Sequence, residues 1–356
     1  MTEARSQSKV SSAAWIGLPL LAVLLGCAVV AAIAIGSTGI SWGAVVRVLA
    51  ARALPEGWID LRGVSEAEQA IIWLIRTPRV FVAALAGGAL GVAGTQMQGL
   101  FRNPLAEPSV IGISQGAAVG AVITFVTGLA TAAVFWLPLF AFAGALASLA
   151  TVYTIATRAG RTPPATLLLA GIALGALSTA ISSLLISLSV VNWQVASEIV
   201  FWMMGGLDNR TWTHVWMCLP PLAIGAIGAR WYTRDLDLLL LGEETAASLG
   251  VDVERVRRAI LTTAAMLTGA AVAVSGVIGF VGLIVPHMLR LLLGPSHRIL
   301  LPAAMLGGAA FLVICDLLAR TIHPPTEIRL GIITAAFGAP FFLYLLRRHR
   351  GGLGLP

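Results

Sequence analysis

The sequence predicts an all-α polytopic membrane protein of about ten transmembrane helices, and three observations predict it. Only 11% of the 356 residues are charged, where soluble domains average about 25%. Hydrophobic residues make up 58% before the 38 glycines are counted, and mean hydropathy is +0.91. Uncharged runs recur at the roughly 20 residues that a helix needs to cross a bilayer.

The first apolar run, residues 13–35, follows Arg5 and Lys9 and exceeds the roughly 7–15 apolar residues of a cleavable signal, so it reads as a retained helix. Leu24-Leu25-Gly26-Cys27 is only a faint lipoprotein-like pattern, because the run continues past Cys27. Residues 36–79 are more polar, with Glu56, Asp60, Glu66 and Glu68, and read as a loop with a short surface helix. Span two is 80–101, stopped by the charges and prolines of 102–108.

Residues 108–157 carry no charge and are long enough for two crossings, with the turn at 128–138. Pro163 and Pro164 open span five, which runs to about Ser189. The stretch 190–210 has an apolar centre too short to span and reads as an interfacial or re-entrant helix. Span six is 211–229, and a charged segment, 235–258, follows. Glycines 276, 279 and 282 and Pro286 divide 259–289 into span seven and a short span eight; spans nine and ten are 299–318 and 330–346, the last capped by Arg347, Arg348, His349 and Arg350.

Ten crossings put both termini on one side. With the amino terminus cytoplasmic, 15 of the 23 basic residues fall inside, as the positive-inside rule requires. All but one of those 23 are arginines scattered between spans, so the +7 net charge reflects topology and not a nucleic-acid surface. Cys27, Cys218 and Cys315 lie in apolar runs without metal or disulfide spacing.

The chemistry is bounded by what is missing. A P-loop needs a lysine in a glycine-rich turn, and the single lysine is Lys9 between Ser8 and Val10. Near mid-membrane only Asp316 and His287 suggest proton coupling, and His287 follows Pro286 at a helix break, where packing is the plainer role. No catalytic constellation, metal site or cofactor site is evident, so the chain is not expected to be an enzyme. A pathway energised by another chain remains, with a secondary transporter or channel as the alternative.

The receiving element is expected within residues 235–256. A short helix is predicted from about Glu243 to Leu249, with Glu243 and Glu244 favouring its amino end and Gly250 suited to terminate it.

Several segments together carry a family resemblance: Arg76-Thr77-Pro78-Arg79, the glycine-rich 87–98 running into Asn103-Pro104-Leu105-Ala106-Glu107-Pro108, then 112–117, 242–251, 279–290 and Gly338-Ala339-Pro340. In that order they resemble the permease subunits of ATP-binding cassette importers for iron-siderophores, haem and cobalamin. The resemblance implies a cobalamin-permease-like fold forming one transmembrane permease domain over 1–356, two copies of which surround a pathway in the bacterial cytoplasmic membrane. It implies two cytoplasmic ATPase subunits holding ATP and Mg, and a periplasmic or surface-anchored binding protein. No cofactor is expected on this chain itself.

Carried onto this chain, the resemblance makes Leu241, Gly242, Glu243, Glu244, Ala247, Ser248, Leu249, Gly250 and Val251 the ATPase-coupling residues. Arg76, Arg79, Arg320 and Arg329 become docking partners for acidic residues of the binding protein. Spans five and ten line the pathway, through Leu177, Ser178, Ile181, Ser182, Leu185, Ser189, Ile333, Phe337 and Phe341. The glycines of span two are expected to serve close packing, and Gln96 and Gln98 to bond between helices. The 201–212 stretch looks most like haem-importing members, ahead of siderophore and then cobalamin permeases, which makes haem the expected substrate.

Overall fold

The computed structural model describes residues 2–36, 38–189 and 192–349, with side chains from Ile16 to Tyr344 and at Arg347. Arg350 lies outside them, as do the side chains of Arg5, Lys9 and Arg348. Among the described residues the chain is helical, with no strand.

The first long helix, α1 (Thr2–Ala34), precedes the polar stretch expected to be a loop with a short surface helix. It contains α2 (Trp42–Ala53) and α3 (Glu66–Ala70), and α3 continues through one π-helical segment, Ile71–Arg76, directly into α4 (Thr77–Leu100). Span two therefore starts at Glu66 and not at residue 80. The reason is local: Ser65 accepts from the Glu68 amide while Glu68 reaches back to the Ser65 amide, a capping box that nucleates the helix ahead of its apolar part.

The remaining helices follow the expected order. Helices α5 (Ile113–Val126) and α7 (Trp136–Ala156) form a hairpin around the short α6 (Leu129–Ala132). Next come α8 (Pro164–Ser189), the non-spanning α9 (Trp193–Met203) and α10 (Trp212–Trp231). Two small helices, α11 (Thr233–Leu239) and α12 (Glu243–Ser248), lead to α13 (Val253–Ser275) and the short α14 (Val281–Leu293). The chain ends in α15 (His297–Thr321) and α16 (Leu330–His349). Six of these are by length and composition able to cross a membrane, and α5, α14 and α16 are shorter apolar helices.

At the centre stands α4, packed on α13 and α15. A Cβ built on Gly87 would lie 2.2 Å from the Gly308 carbonyl oxygen, and one on Gly94 would lie 1.9 Å from that of Gly282. Only glycine lets these backbones touch, the packing mode that replaces the hydrophobic effect between helices in lipid. Gln96 donates to Thr263 Oγ1 at 2.7 Å and Gln98 to the Leu283 carbonyl at 3.0 Å, so both bond between helices.

Candidate functional site

At one end of the bundle α12 projects between α11 and α13. Gly242 precedes it at φ +111, and its far end closes in a Schellman motif: Gly250, at φ +87, donates to the Ala247 carbonyl and Val251 to that of Ala246, each at 3.0 Å. Ala246 and Val251 are buried and anchor the turn, whereas Leu241, Glu244, Ala247, Ser248, Leu249 and Gly250 are exposed. The apolar side chains of Leu241 and Leu249 stand 63% and 55% exposed at its two ends.

The knob is fixed from beneath. Arg257, 2% exposed on α13, reaches Glu243 at 2.6 Å and Glu254 at 2.5 Å. On α11, which precedes α12, Asp237 meets His297 at the start of α15 through both ring Nδ1 (2.7 Å) and backbone N–H (2.8 Å). Burial alone would raise the Asp237 carboxyl, but these hydrogen bonds hold it below the usual carboxylate range.

At the opposite end the four arginines expected to dock a partner divide. Arg76, 5% exposed, donates to the carbonyls of Ile33, Ala34 and Thr38 and to Thr38 Oγ1, all within 2.9 Å. Arg320, 9% exposed, donates to the Ala32 carbonyl and pairs with Asp316. Both serve the carboxyl end of α1, whose last carbonyls lack helical partners. Both guanidiniums are thus engaged inside the single chain, which leaves little of them exposed for a partner.

Arg79 and Arg329 belong instead to a partly open ion network. Arg79 forks onto Asp316 and Glu327, each at 2.8 Å, with Asp208 at 3.9 Å; Arg329 pairs with Asp208 and lies 4.4 Å above the Phe201 ring. Burial, with Asp208 alongside, raises the Glu327 carboxyl despite the pull of Arg79. Asp208 is held low, because the bond from Glu327 and the two arginines outweigh its burial.

The pathway residues of α8 also separate, for a geometric reason. Ser178 and Ser182 fall with Gly171 and Gly175 on the buried face, whereas Leu177 and Ile181 are exposed and Leu185 and Ser189 lie between. At 3.6 residues per turn, 177 and 178 point about 100° apart, so in the single chain one is exposed and the other buried. On α16 Ile333 is buried, Phe337 is 51% exposed against Phe311, and Phe341 is half-buried against the His287 ring. An open cavity of about 530 Å³ lies beside α16, lined by Met204, Phe280, Ile332, Ala335 and Ala336.

One residue of this region escaped the sequence reading. Glu107, placed there in a helix stop and in a segment of the family resemblance but given no role, accepts the Phe280 amide at 3.0 Å where α14 begins. Phe280 sits at φ +70, uncommon for a bulky side chain. The signal available was Glu107 itself, an acid placed between two prolines after an asparagine-proline turn.

A model of the FecCD transport family matches residues 21–348. The chain is 48% identical over 285 residues to a cobalamin import system permease of Halobacterium salinarum, covering 80% of this chain and 75% of that one. It is 45% identical to a hemin transport system permease of Yersinia pestis, covering 78% and 84%. A metal-chelate type ATP-binding cassette transporter solved in an inward-facing conformation superposes with a TM-score of 0.81 at 30% identity, over 93% of this chain and 98% of that one. The chain thus belongs to the FecCD transport family, as a multi-pass membrane permease of an ATP-binding cassette importer for iron chelates, haem or cobalamin, with the ATPase on a separate subunit.

Proposed function

We propose that two copies of this permease form a pathway that passes haem from a binding protein into the cytoplasm, driven by two ATPase subunits seated on α12. The observation that carries it is the face of α8: its apolar stretch is 22% buried, against 83% for the helix centred on α4. Leu177, Ile181, Leu184 and Leu188 leave an apolar, uncharged surface that a second copy and a large apolar cargo would cover. Such a lining holds its cargo weakly at each point, which conduction requires.

In this reading both termini and α12 are cytoplasmic in a bacterial inner membrane, the ATP and Mg belong to the partner, and segment 235–256 is the coupling element. Arg329, with Arg79 behind it, remains the docking point for acidic residues of the binding protein. Cobalamin is the second reading, supported by the 48% identical archaeal permease.

The test is reconstitution in proteoliposomes with the ATPase and binding protein. ATP-dependent uptake of labelled haem, and none of cobalamin, is the expected result; the reverse preference replaces haem by cobalamin.

A further inference from the structure

Helices α10 and α15 stand apart on the outside of the bundle, and the gap between them is floored by α4. Two cavities, of about 410 and 210 Å³, fill that gap and share Val92, Ala226 and Met305 in their walls, so they are one groove. Gly88 deepens its floor, since a side chain there would press on Met305. The wall formed by α10 runs from Leu219 to Trp231, thirteen residues or about 18 Å at the helical rise. That covers one leaflet, half of the roughly 30 Å hydrocarbon core. A slot of this size admits an alkyl chain but not another helix, which is about 10 Å across.

Charge is confined to one end. Arg230 and Trp231 line the mouth on the α12 side, and Trp231 is 79% exposed. Trp216, 64% exposed near the other end of α10, completes the pair of aromatic anchors that mark the two membrane interfaces. Arg298, exposed on α15, precedes the groove residues Leu301 and Pro302 by three and four positions and so shares their face. Arg230 gives one N–H to Thr233. Among the described residues no carboxylate lies within ion-pair distance of Arg230 or Arg298.

We propose that this groove between α4, α10 and α15 binds one anionic phospholipid of the leaflet on the α12 side, its acyl chain along Ala226 and Met305 and its phosphate on Arg230 and Arg298. Guanidinium forks match phosphate oxygens, and two uncompensated cations beside an apolar slot select a lipid with net negative charge.

The experiment is native mass spectrometry of the full-length permease, purified in mild detergent and incubated with equal phosphatidylglycerol and phosphatidylcholine. Wild type should retain one phospholipid per chain, with phosphatidylglycerol at least fivefold in excess. The double variant Arg230→Ala, Arg298→Ala should retain lipid without headgroup preference. Ala226→Phe, which fills the groove from its open side, should lower retention of both lipids several-fold while the protein stays monodisperse. Equal binding of the two lipids by wild type, retention unaffected in both variants, or a co-purifying polypeptide in place of lipid would each overturn the proposal.

Discussion

The Phe280 amide donates to the Glu107 carboxylate across 173 residues of sequence, and the ring of the same Phe280 presses on α16. A Cβ on Gly338 would stand 2.2 Å from that ring. One residue in the left-handed region therefore ties the loop after α4, the start of α14 and the middle of α16 together, a strain that the surrounding contacts must sustain.

Glu107→Ala should leave the Phe280 amide without an acceptor, at a cost of about 1–3 kcal/mol. Glu107→Gln keeps an acceptor oxygen and should remain close to wild type. Thermal unfolding of the purified permease and substrate uptake in proteoliposomes both report this; identical behaviour of the two variants would remove the hydrogen bond from the account.

Gly94→Ala places a methyl 1.9 Å from a backbone oxygen of α14, with no flexible side chain to yield. Overpacking of this kind costs about 1–3 kcal/mol, and the expected outcome is a lower unfolding midpoint with little folded protein in membranes. At Gly26, which has no neighbour within 4 Å of a built Cβ, alanine should be silent.

Arg257→Met removes a buried cation from between Glu243 and Glu254 and should loosen α12. Breaking such a pair from one side costs about 3–5 kcal/mol when both partners are buried; here the carboxylates are partly exposed, so a smaller loss is expected. ATPase co-purification should fall together with transport, and Glu244→Lys on the exposed face should do the same without lowering the unfolding midpoint. Unchanged assembly in both variants removes α12 as the coupling element.

Arg329→Ala should weaken binding-protein affinity modestly, within the roughly 0–1 kcal/mol typical of partly exposed ion pairs, and should flatten its salt dependence. Arg76→Ala should instead lower the unfolding midpoint while leaving that salt dependence intact, because its guanidinium serves α1. Surface plasmon resonance at two ionic strengths separates the two roles.

Asp237 supplies a pH signature. Its carboxyl is held below the ordinary value in the folded chain, so its stabilisation is fully present above the unfolded-state value and is lost as pH falls through the folded one. Unfolding midpoints measured downward from neutral pH should drop in that acidic window. Asp237→Asn should lower the midpoint at neutral pH and flatten the acid-side slope.

Most of the helical plan was legible because uncharged length is a direct physical requirement of a bilayer. The α12 helix and its Gly250 terminus were readable for a similar reason, since a turn of positive φ selects glycine. Span two was misread because a capping box at Ser65 extends a helix through charged residues that a hydropathy scan counts as loop. The roles of Arg76 and Arg320 were hidden because the backbone carbonyls they bond lie 38–43 and 288 residues away, which no local pattern encodes. Ser178 and Ser182 were grouped with the leucines beside them because composition was read there without the helical period.

The backbone contacts at Gly87 and Gly94 also divide the permease mechanically. With carbonyl oxygens for neighbours, α4 cannot roll or slide against α14 and α15 without collision, so these helices form a stator. The sparsely buried α8 has one such contact, at Gly171, where a Cβ would stand 2.6 Å from the Ile111 backbone, and the rest of its length is free to pivot about it. Opening and closing of the route should accordingly be sought in tilting of α8, and a crosslink from α8 to α5 should arrest the cycle where one between α4 and α15 leaves it running.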